Sequence, residues 1–239
     1  MLTHFRMMDQ QPQPLHNRAR KGYRARMKYA LPLLALLTAA APANQNVPRP
    51  GYVRVQINTS EGPIVVALDA RRAPATTKNF LAYVDDGRFD GTVFYRTARD
   101  KRDPKKGFVQ GGIRTDARRI LPPFPLETTT KTGIKHLDGA ISMARGATPQ
   151  SAGGNFVLTV GPAPGLDARP GYDGYAAFGH VVAGMDTVKK ILAKPSGGGM
   201  DAMKGQMILQ PVKIFNVKRL DGKPHPTGEP KMWLYNFGG

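Results

Sequence analysis

The stretch YVRVQINTSEGPIVVAL (residues 52–68) decides the fold. Residues 52–59 alternate, with Val53, Val55 and Ile57 on one face, the period of a strand buried on one side. Glu61-Gly62 interrupts as a turn and residues 64–68 continue as a second strand, so the pair reads as a hairpin. Working outward, Ala73-Pro74-Ala75-Thr76-Thr77 opens a helix, because proline in a first turn loses no needed N–H. Phe80, Leu81 and Val84 give that helix an apolar stripe and Gly87 stops it. Short strands follow at 92–96, 107–110, 139–143, 155–160 and 176–181. A second helix at 185–192 carries Val188, Ile191 and Leu192, and a last strand spans 210–220. About eight short strands with two helices do not alternate as βα units. The expectation is a mainly β domain, a closed eight-stranded antiparallel β-barrel capped by two α-helices, which buries the strands and leaves few open edges.

The barrel occupies residues 52–221 of 239, preceded by a leader at 1–43 and a linker at 44–51, and followed by an irregular Pro- and Gly-containing tail at 222–239. The leader combines Arg18, Arg20, Lys21, Arg24, Arg26 and Lys28 with the apolar run 31–37, too short to span a bilayer as a lone helix, and a small-x-small Ala41-Pro42-Ala43. It reads as a signal peptide cleaved after Ala43, with Met27 an alternative start. The expected location is the periplasm or another exported compartment, with no stable membrane insertion after leader removal.

With no cysteine, disulfides, thiolate catalysis and cysteine-held metals are excluded. The five histidines show no metal-ligand spacing, so neither metal nor cofactor is expected. The net charge is +18; outside the leader it remains +12, from 28 basic and 16 acidic residues. These charges are scattered and lack interleaved aromatics, which argues for a solvated surface and against nucleic-acid binding. Hydrolase, phosphate-loop and zinc-protease signatures (G-x-S-x-G, P-loop, H-E-x-x-H) are missing, and Gly197-Gly198-Gly199 reads as a loop.

Several blocks occur in a distinctive order: Phe94-Tyr95-Arg96, Phe108-Val109-Gln110-Gly111-Gly112, Gly139-Ala140-Ile141-Ser142-Met143-Ala144, Gly153-Gly154-Asn155-Phe156-Val157-Leu158, and Ala177-Phe178-Gly179-His180-Val181. This set resembles the cyclophilins, across nearly all of residues 52–220. The resemblance implies a monomeric peptidyl-prolyl cis/trans isomerase acting on proline-containing polypeptides and assisting folding of exported proteins. Its alternative is a non-catalytic, peptide-binding chaperone module on the same barrel. Rotation about an X–Pro bond breaks no covalent bond, so no nucleophile is required. What is required is an apolar notch for the ring and a fixed donor that favours the twisted amide.

By this resemblance Arg96 is the donor and Gln110 holds the substrate carbonyl. Phe108 and Val157 line the proline pocket, Leu166 and Tyr175 form its far rim, and Ala144 and Asn155 flank the peptide backbone. Taken alone, Arg96 reads as a surface strand residue, Gln110 as a buried amide, and the apolar four as core. Where the family carries large pocket aromatics this chain has Gly107, Val157 and Gly165, and residues 97–106 (TARDKRDPKK) lengthen the spacing from Arg96 to Gln110. That insert is expected to fold over the pocket, replacing lost apolar wall and favouring acidic clients through Lys101, Arg102, Lys105 and Lys106.

Overall fold

The computed structural model describes residues 49–235; the leader (1–43), linker residues 44–48 and the last four residues lie outside the described residues. The opening hairpin forms as expected: β1 (Tyr52–Thr59) pairs antiparallel with β2 (Gly62–Asp69), placing Val55 against Val66 and Ile57 against Ile64. Helix α1 (Pro74–Asp85) starts on its proline and buries Phe80, Leu81 and Val84. There follow β3 (Val93–Arg99), β4 (Gly107–Gly112), the one-turn α2 (Thr129–Thr132), β5 (Ala140–Met143), β6 (Asn155–Val160) and β7 (Ala176–Ala183). Helix α3 (Met185–Leu192), the two-residue β8 (Ser196–Gly197) and β9 (Met207–Arg219) complete the described elements.

The order β1-β2-β7-β5-β6-β4-β3-β9 closes through pairing of β1 with β9, an eight-stranded antiparallel barrel with β8 appended to β9. Closure removes the free edges that an open sheet would expose. Phe80 of α1 reaches inside and meets Phe89, Phe156 and Phe178 with ring centroids 5.0–5.5 Å apart. Phe94 joins at 5.6 Å from Phe156. Val188, Ile191 and Leu192 of α3 bury against the same core.

Two features differ from the sequence reading. The insert 97–106 does not form a separate flap: β3 runs on to Arg99, whose guanidinium donates to the carbonyls of Leu192 and Lys194 at the end of α3. This satisfies carbonyls that a helix C-terminus leaves without partners. The tail, expected to be irregular, has no strand among its described residues, 222–235, but is tied down. Thr227 bonds Asp86 through both its N–H and hydroxyl, the N–H of His225 donates to Asp85, and Arg88 donates to the carbonyls of Glu229 and Pro230.

Candidate active site

A β-bulge builds the site. In a regular strand Phe94 and Arg96 would face the same way. Pairing of β3 with both β4 and β9 slips between these two residues, so Tyr95 has no direct partner. An extra residue of this kind re-aims the side chains that follow it. Phe94 therefore sits fully buried in the aromatic core, while Arg96 emerges on the barrel's outer face between Gln110 of β4 and Met207 of β9.

There the guanidinium is held from three sides. Nε donates to Oε1 of Gln206 at 2.9 Å, Nη1 to Oε1 of Gln110 at 2.9 Å, and Nη2 to the carbonyl of Ala202 at 3.2 Å. The group also lies 5.1 Å over the Phe108 ring. No carboxylate pairs with it among the described residues. Burial pulls its pKa below the ordinary value, opposed by Tyr95 and Tyr175, yet an arginine so placed stays charged at neutral pH. Three of its five N–H groups are engaged, and two remain for a ligand.

From Arg96 a hydrogen-bond chain crosses the face. Gln110 Nε2 donates to the Tyr95 hydroxyl at 2.8 Å, and that hydroxyl donates to Asn155 Oδ1 at 3.3 Å. Burial pushes the Tyr95 phenol up to about 12, so it remains a neutral donor. Asn155 then clamps the backbone of Arg114 both ways, accepting from its N–H at 2.7 Å and donating to its carbonyl at 2.8 Å.

Of the residues anticipated from sequence, Gln110, Ala144 and Asn155 line one cavity of about 280 Å3, beside Arg96. Phe108 supports the guanidinium from beneath. Val157 is buried next to Gln110 in the β4–β6 register. Leu166 and Tyr175 are joined by a 3.0 Å backbone bond, and Tyr175 meets the cavity wall through Arg145, whose guanidinium lies 5.1 Å over its ring. The amide of Asn155 is committed to the backbone of Arg114.

None of residues 97–106 lines this cavity. Lys106 instead pairs with Asp103 inside the insert. The apolar wall comes from Met203 and Met207, in and after the loop that joins β8 to β9. Sequence reasoning missed them, together with Gln206, because they lie about a hundred residues from Arg96; two methionines near a Gly-rich loop were the available signal. Gly107 cannot regain an aromatic: its φ is +140°, and a Cβ there would stand 2.1 Å from the carbonyl oxygen of Ala98.

Behind the face, His136 places Nδ1 2.7 Å from Asp167 and Nε2 2.9 Å from the Ser142 hydroxyl. This resembles a hydrolytic triad in composition alone. Ser142 is fully buried in β5, out of reach of any substrate, and the trio braces the wall between β5 and the segment after β6.

A family model described as cyclophilin type peptidyl-prolyl cis-trans isomerase/CLD matches residues 52–219. A peptidyl-prolyl cis-trans isomerase of Acinetobacter baylyi is 32% identical over 164 residues, covering 69% of this chain and 84% of its own length. One from Streptomyces antibioticus is 34% identical over 168 residues, covering 67% and 98%. The crystal structure of a cyclophilin type peptidyl-prolyl cis-trans isomerase of Cryptosporidium parvum shares the fold, with a TM-score of 0.54 at 22% identity, over 72% of this chain and 99% of its own. That protein was also solved in the presence of the dipeptide Ala-Pro. Barrel closure, the outward arginine beside its glutamine, and these likenesses converge: the chain belongs to the cyclophilin-type peptidyl-prolyl cis-trans isomerases.

Proposed function

We propose that this chain accelerates cis/trans rotation of X–Pro bonds in polypeptides, with Arg96 as the group that stabilises the twisted amide. The barrier, roughly 18–20 kcal/mol, comes from resonance between the amide nitrogen and its carbonyl. As the bond twists, the nitrogen lone pair localises and becomes a better acceptor. A donor fixed beside it binds the twisted form more strongly than the planar one, and that difference is what lowers a barrier. The observation that carries this reading is the fixation of the Arg96 guanidinium by Gln206, Gln110 and Ala202, over Phe108, with two N–H groups and its charge uncommitted. Gln110, whose Oε1 already orients Arg96, is the group assigned to the substrate carbonyl in this reading, and its position beside the cavity supports that. Met203 and Met207 supply apolar surface on one wall for the ring, adapting their shape to it, while Val157 lies buried behind Gln110.

Exchange spectroscopy by NMR on a proline peptide tests the assignment. Arg96→Ala is expected to lower catalysed exchange by about 10²–10³-fold, the usual loss for one preorganised donor, with the unfolding midpoint unchanged. Equal exchange by wild type and a folded Arg96→Ala would overturn it. Peptide binding insensitive to Arg96 would then support the non-catalytic peptide-binding module, a reading favoured by Gly107 and Gly165 in place of aromatic walls.

The basic, apolar and small-x-small pattern of residues 18–43 supports export as the setting, with exported proteins as clients. An N-terminus at Asn44 on the secreted chain, read by mass spectrometry, is the expected result; an intact leader on protein confined to the cytosol would refute it.

A further inference from the structure

We propose that the cavity between Arg114 and Arg145 receives an anionic side chain of the client, a carboxylate or a phosphate, within a few residues of its proline. This rests on the isomerase reading above and assigns its substrate class. The cavity of about 280 Å3 adjoins Gln110 and contains no Asp or Glu in its lining. Both arginines on its wall lack an acidic partner among the described residues. Instead each is held by neutral groups. Arg114 lies 5.4 Å over the Tyr95 ring. Arg145 lies over Tyr175 and donates to the carbonyls of Gly174, Gly146 and Ala147 at 2.8–3.2 Å. Stacked, preoriented guanidiniums of this kind match carboxylate and phosphate oxygens with little ordering left to do.

A second observation concerns the backbone. Arg114 has φ of +56°, a left-handed conformation that a non-glycine residue adopts at a cost. It is maintained by the two-way clamp from Asn155, the end of the hydrogen-bond chain that begins at Arg96. The fold thus ties the rim cation to the group expected to act on the prolyl bond. The nearby Asp116 does not neutralise the rim, since Arg118 and Arg119 occupy it.

The test uses proline peptides carrying a single Asp, Glu, phosphoserine, Ala or Lys, scanned over three positions on each side of the proline. On one flank the anionic peptides are expected to exceed the Ala peptide about tenfold in kcat/KM, as one charge-assisted hydrogen bond allows, with Lys below Ala. The carboxylate and phosphate arms show which anion the site prefers. In Arg114→Gln/Arg145→Gln the ratio of acidic to neutral peptide should fall to about one, whereas Arg114→Lys/Arg145→Lys, or 0.5 M salt on the wild type, should leave an intermediate ratio. If wild type treats Asp, Ala and Lys peptides alike, the inference fails while the isomerase reading stands. If no peptide is turned over, that reading fails, and titration of the same peptides followed by amide shifts decides the inference by the same ratios.

Discussion

Two arginine-rich regions of this molecule use the same side chain in opposite ways. Where the tail meets the end of α1, three arginines each have a carboxylate: Arg88 on Asp86 at 2.8 Å with both side chains buried, Arg219 on Asp85, and Arg54 on Asp221 at 2.8 Å. On the outer face around Gln110, Arg96, Arg114 and Arg145 are fixed by carbonyls, amides and aromatic rings, and none has a carboxylate partner among the described residues. The first arrangement neutralises charge and holds chain segments together. The second fixes position while leaving charge available to a ligand. Location of positive charge is therefore a poor guide to function; the identity of its partners separates the two regions.

The sharpest way to break the comparison is at the paired region. Asp86→Ala leaves Arg88 buried without its partner and removes both bonds to Thr227, so it is expected to cost about 3–5 kcal/mol in urea unfolding. A cost under about 1 kcal/mol would show that the pair does not hold the tail. Trp233, which both Arg88 and Arg119 overlie at 4.8 and 5.1 Å, is a weaker point in the same region. Trp233→Ala should cost about 1–2 kcal/mol and speed proteolysis after residue 221. Arg114→Gln should shift unfolding by about 0.5 kcal/mol or less, as expected for an exposed residue; a larger loss would make the rim arginine a structural part.

Acid gives the smallest and most graded test. Burial holds His136 below its ordinary pKa, despite Asp167 beside it. An unfolded histidine takes up a proton from about pH 6.5 downward, so below that pH the unfolded state binds more protons and stability falls. Asp221, held below its ordinary value by its hydrogen bond from Arg54, adds a further loss below about pH 4. Urea midpoints from pH 8 to pH 3 should decline in these two steps, and the upper step should shrink in His136→Gln to the part contributed by His180, which burial also holds below its ordinary pKa.

How much of this was legible beforehand depended on whether the cause was local. Residues 155–160 and 185–192 formed the anticipated strand and helix, because alternation and an apolar stripe are written along the chain itself. α1 began on Pro74 for a similarly local reason. Thr129–Thr132 escaped notice, since four residues rich in threonine carry neither helical period nor propensity. The bulge at Tyr95 left no residue-type trace: it is a property of registers with β4 and β9. Motif order singled out Arg96, Gln110 and Asn155, which one hydrogen-bond chain connects through Tyr95. The contacts of Arg96 with Gln206 and Ala202, and the pairing of tail with α1, join positions more than a hundred residues apart, beyond the reach of any pattern read in windows.

Trp233 is the chain's single tryptophan, so its near-ultraviolet emission comes from one address. Arg119, which overlies it, ends the short stretch that begins at Arg114 on the cavity wall. The molecule thus carries a built-in optical reporter at the far end of the rim segment. Undocking of the tail should redden its spectrum, and a peptide that shifts Arg114 should perturb its intensity with no dye attached.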